Sequence, residues 1–195
     1  GRTLERTTNL ANGIIASTWF DGCMGGSPGI AYTTCNEPLT FNEVNYQSST
    51  ANDAGDWIEL RNNTSNAINI SGWIYKDEIN ANQFLVPSGT SINAGEHLVL
   101  YSDFTKFTTQ HSVTNKIGPF LFDLVNTGEV LRLYDAAGKI QTSLFYLPNN
   151  GWPDSANAKG KTMELINPIS NINLAVSWKN SCKNGTPAVI NGSNC

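Results

Sequence analysis

The chain is short of charged side chains, and its few basic residues are scattered. Asp, Glu, Lys and Arg make up 14% of the 195 residues, against about a quarter in an average soluble domain. The formal net charge is −4, and the twelve Lys and Arg form no run. Nucleic-acid-binding proteins concentrate basic residues on one face, because phosphates are bound by releasing counterions. The composition therefore predicts no nucleic-acid partner.

Long apolar runs and catalytic motifs are missing as well. No stretch approaches the roughly 18–20 apolar residues of a membrane-spanning helix, so no membrane span is predicted. The sequence has neither a Gly-x-Ser-x-Gly nucleophile elbow nor a His-Glu-x-x-His metal motif. Its two histidines, His97 and His111, belong to no such pattern. We therefore expect no catalytic residues and no enzyme activity.

What the sequence does contain is a repeat that joins its two ends. Residues 1–28 align without gaps on residues 160–187, an offset of 159 positions. The repeat predicts two units: residues 1–35 as the carboxyl-terminal fragment of a preceding copy, and residues 36–195 as a complete copy. Because no signal peptide is visible, we expect a longer precursor with tandem copies. Identical pairs include Gly1/Gly160, Trp19/Trp178, Cys23/Cys182 and Pro28/Pro187.

The four cysteines follow this repeat. Cys23 and Cys35 are 12 positions apart, and Cys182 and Cys195 are 13 apart. Because equivalent segments should carry equivalent bridges, we predict the disulfides Cys23–Cys35 and Cys182–Cys195, the second closing a loop-rich carboxyl-terminal tail. Persisting disulfides imply an oxidising compartment, so the protein is expected to be extracellular or on a cell surface. The rival, a zinc site, lacks the closely spaced cysteine pairs that such sites use.

Residues 36–195 have the pattern of a β protein. Short segments that alternate apolar and polar residues recur roughly every 10 residues, separated by turn residues. One helical turn is expected within residues 102–109, and residues 105–118 form the longest stretch without a clear strand. The pattern predicts an all-β sandwich or barrel. The clearest strands are residues 41–46, 56–61, 73–76, 96–101, 129–134 and 161–165.

These segments carry motifs that resemble the lamin-tail domain family. The resemblance covers most of residues 38–188 and is closest to the exported bacterial branch, since the heptad rod of a nuclear lamin is absent. It implies an Ig-like β-sandwich and implies no reaction. The matching segments are residues 41–44 (Phe-Asn-Glu-Val), 55–62 (Gly-Asp-Trp-Ile-Glu-Leu-Arg-Asn), 71–73, 87–90, 128–135, 160–164, Trp178 and 185–187.

The motif residues are interpreted as structural. Trp57 and Trp73 are expected to fill the sandwich core. Glu59 is expected to accept hydrogen bonds from backbone donors at a strand end or turn. The full motif set is Glu43, Asp56, Trp57, Glu59, Trp73 and Trp178.

Carboxylates supply one candidate metal site. Asp53 and Asp56 flank a turn, and Asp77 and Glu78 end the strand that begins at Trp73. If the two strand ends are neighbours, these four carboxylates converge, and calcium binds about six to eight oxygens of that kind. A solvated polar rim is the alternative, and it leaves the domain without a cofactor.

The sequence thus predicts a non-catalytic binding or scaffolding module of a secreted or cell-surface multidomain bacterial protein, with a protein or carbohydrate ligand. Trp152 is a candidate contact residue, with a core position as its alternative. A second hypothesis is an accessory domain of an exported hydrolase, such as a nuclease or phosphatase, since exported family members often accompany such enzymes. A third is assembly by strand exchange, because residues 2–6 duplicate residues 161–165. The sequence does not decide between a monomer and a strand-exchanged dimer.

Overall fold

A computed structural model gives the fold of residues 2–6, 12–29 and 37–192. Single turns of 3-10 helix lie at Ala16–Thr18, Asp154–Ala156 and Ala175–Ser177. Within these residues the strands and the α-helix follow in the order β1 (Arg2–Arg6), β2 (Trp19–Met24), β3 (Leu39–Asn45), β4 (Trp57–Asn62), β5 (Ile68–Asn69), β6 (Ile74–Lys76), β7 (Gln83–Leu85), β8 (Ser91–Ile92), β9 (His97–Tyr101), α1 (Phe104–Gln110), β10 (Lys116–Ile117), β11 (Glu129–Tyr134), β12 (Ile140–Tyr146), β13 (Lys161–Leu165) and β14 (Trp178–Lys183).

Two sheets pack face to face. One has six strands in the order β10-β9-β4-β3-β13-β14, and the other has four in the order β12-β11-β6-β7. Neighbouring strands are antiparallel except β10, which runs parallel to β9. Strands β5 and β8 form a short separate ladder, and β1 pairs with β2 alone among the described strands. The chain is therefore mostly β-strand, arranged as an Ig-like sandwich.

The core lies between the two sheets, because strand alternation turns every second side chain inward. Along β11, Leu131 and Leu133 are completely buried, while the alternate residues Val130, Arg132 and Tyr134 are half-buried. Ile58 and Leu60 on β4 in the other sheet belong to the same core. Each buried side chain of this size stabilises the fold by about 1.5–3 kcal/mol.

The six-stranded sheet is buried on its second face too, which corrects the expectation for Trp57. Trp57 is 0% exposed, but it belongs to a second cluster beneath α1, with its ring 5.9 Å from that of Phe107. The next residue, Ile58, is the one that enters the sandwich core. Trp73 is partly buried and packs against that core.

Helix α1 occupies the stretch in which one helical turn is expected from the sequence. Asp103 caps it, with its carboxylate accepting the backbone N–H of Lys106 at 2.9 Å, which satisfies one of the free donors of the first turn. Phe107 anchors the helix on the sheet and is fully buried. Among the described residues no helix is both long and apolar enough to cross a membrane.

Candidate functional site

Three glutamates lie side by side on the second face of the six-stranded sheet. Glu164 on β13 stands opposite Glu43 on β3, and Glu43 stands opposite Glu59 on β4. All three are 0% exposed. Like charges in directly opposed positions destabilise a sheet, and a buried carboxylate needs hydrogen-bond donors or a proton. This glutamate row therefore depends on the groups that cover it.

The segment after β14 covers Glu43. The backbone N–H of Thr186 donates to both carboxylate oxygens of Glu43, at 3.0 and 3.2 Å, and the hydroxyl of Thr162 donates to Oε1. Gly185 has a φ of +83°, and a Cβ at this position would clash with Glu43 Oε1. Glycine is therefore required where the chain passes the carboxylate.

The same segment binds the other two glutamates. The backbone N–H of Ala188 donates to Glu59, whose second oxygen accepts the Asn42 amide at 2.7 Å. The hydroxyl of Thr186 donates to Glu164. Donors of the tail and of neighbouring strands thus bind each of the three carboxylates, so the row holds residues 185–188 against the sheet. Oε2 of Glu164 accepts no hydrogen bond among the described residues and lies 3.6 Å from the Lys179 ammonium.

Burial changes the acidity of this row. It raises the pKa of Glu59 to about 7, although the bonds from Ala188 and Asn42 act against it. Burial, followed by the charge of Glu59, also raises the pKa of Glu43 well above its ordinary value. Part of the row is therefore protonated in the folded protein at mildly acid pH.

Both histidines are largely enclosed and neutral. The side chain of His97 is only 9% exposed and lies 4.0 Å from the Glu59 carboxylate. Burial lowers the pKa of His97 to about 4, and Arg61 adds to the effect. Burial likewise lowers the pKa of His111 to about 4. Neither imidazole carries a proton charge at neutral pH.

A cleft opens at one end of the sandwich, which we call the end cleft. Its volume is about 530 Å³, and its walls come from residues 46–56, 102–106 and 120–126. Small-ligand sites usually occupy about 300–1,000 Å³. The cleft therefore has the size of a binding site for a side chain or a small ligand.

The end cleft is acidic. Its described lining includes Asp53, Asp56, Asp103 and Asp123, with Lys106 as the single basic residue among them. The Lys106 ammonium lies 2.7 Å from Asp53 and is therefore already paired. More negative charge than positive charge is left in the cleft.

Asp56 is the acid in this cleft with the strongest evidence of missing countercharge. Burial, with smaller contributions from the charges of Asp123, Glu129 and Asp53, raises its pKa to about 7. A hydrogen bond from the backbone N–H of Leu124, at 2.8 Å, opposes this rise only in part. Ionised Asp56 would be stabilised by a cation placed in the cleft.

The wall of the cleft formed by residues 120–124, which we call the apolar wall, lies beside Asp56 and exposes one large apolar side chain. Leu121 is 88% exposed, and Phe122 stands beside it in the lining. Tyr46 also lines the cleft; it is 2% exposed, and its hydroxyl has no hydrogen-bond partner among the described residues. Acidic, apolar and hydroxyl groups thus meet in one depression.

The structure distributes the candidate calcium ligands over two places. Asp53 and Asp56 share the end cleft. Asp77 lies in the turn after β6, where its carboxylate accepts the Asn82 amide at 2.6 Å, and Glu78 beside it is exposed. No group of three or more His, Cys, Asp or Glu in the described part of the chain is placed to hold a metal ion. The calcium site is therefore a hypothesis from the sequence alone, and the melting experiment in the Discussion tests it.

Two other candidates from the sequence are placed as follows. Trp152 is 8% exposed, and its ring lies 6.4 Å from that of Trp178 in the main core. Cys23 and Cys182 are both disulfide-bonded. Their predicted partners, Cys35 and Cys195, lie outside the described residues, so the pairings stay predictions.

The sequence interpretation missed the apolar wall of the end cleft. Residues 120–124 read Phe-Leu-Phe-Asp-Leu in a region without strand alternation. An apolar run outside any strand or helix is the signal that was available. It could not show that this run faces residues 46–56, because the fold alone brings the two together.

The comparison with protein families gives a match. A family model described as Lamin Tail Domain matches residues 33–147, more than half of the chain. A search of curated protein sequences finds no match. The matched part includes both walls of the end cleft and ends before β13.

Proposed function

Because the chain belongs to the lamin tail domain family, we propose that it is a non-catalytic binding module whose end cleft takes a cationic ligand. The ligand is a segment of a protein partner that combines Lys or Arg with an apolar side chain. The module works in a secreted or cell-surface protein of a bacterium. Its bonded cysteines support the oxidising compartment, and the bacterial setting rests on the family branch that the sequence resembles.

The observation that carries this proposal is the unbalanced charge around Asp56. Its pKa is raised to about 7 by burial and by three other acids. Lys106 is the nearest cation in the lining, but Asp53 holds it. Strongly perturbed acids in a cleft are typical of functional sites. An arriving ammonium or guanidinium group supplies the countercharge that the folded chain lacks.

The apolar wall explains why a protein segment is favoured over a free cation. Leu121 is 88% exposed beside the acids, and an apolar group of a ligand that contacts it removes apolar surface of both partners from water. A ligand that places a cation near Asp56 and an apolar group on Leu121 uses both features. A carbohydrate would bind to the polar groups of the cleft but would bring no apolar side chain to contact Leu121.

Titration calorimetry with defined probes tests the proposal. The full chain is titrated with a peptide of alternating Lys and Leu, with the charge-inverted Glu and Leu peptide, and with a neutral glucan oligosaccharide. We expect binding of the Lys peptide alone, weakening with added salt. Binding of the oligosaccharide, or equal binding of both peptides, would contradict the proposal.

Two variants locate the binding. Asp123→Asn removes an exposed charge from the cleft and should weaken the Lys peptide by roughly tenfold, which is about 1.4 kcal/mol. Glu78→Gln removes an exposed charge of the same sign outside the cleft and serves as the matched control. Equal weakening by both variants would mean that net charge, and not the cleft, attracts the peptide.

A further inference from the structure

The amino-terminal hairpin of β1 and β2 reproduces the hairpin of β13 and β14 in register. Both are antiparallel and both have a register shift near their outer end. A 3-10 turn precedes the second strand in each, at Ala16–Thr18 and Ala175–Ser177. The equivalent cross-strand pairs are Leu4/Asp21 and Met163/Asn180, Glu5/Phe20 and Glu164/Lys179, and Arg6/Trp19 and Leu165/Trp178.

Hydrogen bonds repeat along with the register. The indole N–H of Trp19 donates to the carbonyl of Gly13 at 2.9 Å, as that of Trp178 does to Ile172 at 2.7 Å. The Ser27 hydroxyl donates to Glu5 at 2.7 Å, and the equivalent Thr186 hydroxyl donates to Glu164. The two hairpins are therefore built for the same surroundings.

Their surroundings nevertheless differ. The outer edge of β13 pairs with β3, whereas no described strand pairs with the outer edge of β1. Met163 is 0% exposed inside the sandwich, and its equivalent Leu4 is 65% exposed. An open strand edge with an exposed apolar side chain is a template for a further strand.

The hydrogen bond of Thr3 differs from that of its equivalent Thr162 in the strand that supplies the acceptor. Thr162 donates its hydroxyl to Glu43, a residue of the neighbouring strand β3. The equivalent Thr3 donates to Glu5 of its own strand, at 2.9 Å. A strand of the β3 type beside β1 would supply the Thr3 hydroxyl with a glutamate acceptor on a neighbouring strand, which Thr3 now lacks among the described residues.

We infer that the outer edge of β1 is a docking surface for a β3-type strand, supplied by an upstream copy of the same sandwich in one polypeptide. The β1–β2 hairpin closes that upstream unit as β13–β14 closes this one. The pairing places Leu4 opposite the equivalent of Val44, and Glu5 opposite the equivalent of Glu43, as in β13. This surface is separate from the end cleft, so the two proposals stand or fall independently.

A second copy of this same chain is a weaker partner. Its β3 is already paired with its own β13, which is tethered to it and fully enclosed beside it. A tethered strand competes at a high effective concentration. An upstream unit without a closing hairpin of its own offers a free β3.

Two positions in the hairpin set the fit to its partner. Arg6 stands where Leu165 is buried, and Gly13 stands where Ile172 is buried. The Arg6 guanidinium lies 5.9 Å from the centre of the Trp19 ring. The accepting unit therefore presents a more polar surface near Arg6 than residues 37–159 do near Leu165.

A tandem protein tests the inference. Residues 37–159 are placed directly before Gly1 of the full 195-residue chain, and amide hydrogen exchange is followed at β1 and at β13. A second version carries Arg6→Leu and Gly13→Ile, which restores the buried residues of the known hairpin. We expect exchange at β1 to slow by about a hundredfold or more relative to the single chain. The inference requires this slowing in the second version, whether or not the first version also shows it.

A glutamate variant gives the control. Glu43→Gln in the added segment alone should return fast exchange to β1 and leave β13 unchanged. Exchange at β1 that stays as fast in both tandem versions as in the single chain would overturn the inference. Slow β1 exchange in the single chain that depends on protein concentration would also overturn it, because it would assign the edge to a second copy.

Discussion

The backbone N–H of Thr186 donates to the carboxylate of Glu43 at 3.0 Å, although the two residues are 143 positions apart. The bond ties the segment after β14 to the middle of the six-stranded sheet. The family match ends at residue 147, so the segment that covers the glutamate row lies outside it. Stability of this domain therefore depends on a closing segment that the match does not describe.

The contribution of the glutamate row to stability should fall as the pH rises through its range. Burial raises the pKa of Glu59 from 4.5 to about 7 in the folded protein. At Glu59 the folded chain then binds more protons than the unfolded chain between these values, so Glu59 lowers the free energy of unfolding as the pH rises from 4.5 to about 7. His97 and His111, whose pKa burial lowers, contribute with the opposite sign between about pH 4 and 6.5. Urea unfolding across this range measures the slope.

The Glu59→Gln variant isolates this contribution. Between pH 4.5 and 7, the free energy of unfolding of this variant should fall by about 1–3 kcal/mol less than that of the parent, because glutamine does not titrate. Glu78→Gln, at an exposed position, should leave the slope unchanged. A Glu59→Gln variant with the same dependence of stability on pH as the parent would contradict the buried, protonated state of Glu59.

Thr186→Val should destabilise the domain by about 1–2 kcal/mol, because Glu164 loses a hydroxyl donor while staying buried. Ser27→Ala is the matched control, since Ser27 makes the equivalent bond to Glu5 in the more exposed hairpin. The control should change stability by less than about 0.5 kcal/mol. Thermal unfolding compares the two, and equal effects would disprove the closing role of residue 186.

Phe107→Ala should cost about 3–5 kcal/mol, because the ring is fully buried between α1 and Trp57. Phe104 lies one turn earlier on the same helix and is 55% exposed. Its replacement by alanine should cost less than about 1 kcal/mol. Chemical denaturation gives both values. A small effect at Phe107 would mean that the helix does not anchor the second face of the sheet.

The melting temperature of the domain should be the same in the presence of calcium and in the presence of EDTA. Asp77 is engaged by Asn82, and Lys106 occupies Asp53, so the four acids suggested by the sequence do not act together. Differential scanning calorimetry in each condition checks this. A rise of several degrees with calcium would show a site that binds the folded state.

Strand positions were readable from the sequence wherever one face is buried and the other is not. Residues 129–134 alternate clearly, and β11 spans Glu129–Tyr134. Strand β4 is different, because Trp57 and Ile58 are adjacent, apolar and both fully buried. Alternation cannot show which residues of a strand face the sandwich core when both faces of the strand are buried. The expectation that Trp57 fills the sandwich core is therefore wrong.

The end cleft could not be read from the sequence, because its walls are far apart along the chain. Asp53 and Asp56 could be singled out as acids, but the sequence paired them with Asp77 and Glu78. The fold instead brings them next to residues 120–124. Only the packing of the loop onto the sandwich end determines that neighbour.

The central claim is that the end cleft lacks a cation, and the titration of Asp56 tests it most directly. Carboxyl carbon NMR of the full chain should give Asp56 a pKa of about 7, and adding the Lys and Leu peptide should lower it. Asp56→Asn should weaken that peptide without destabilising the fold at neutral pH. A pKa near the ordinary 3.8, unchanged by the peptide, would contradict the account.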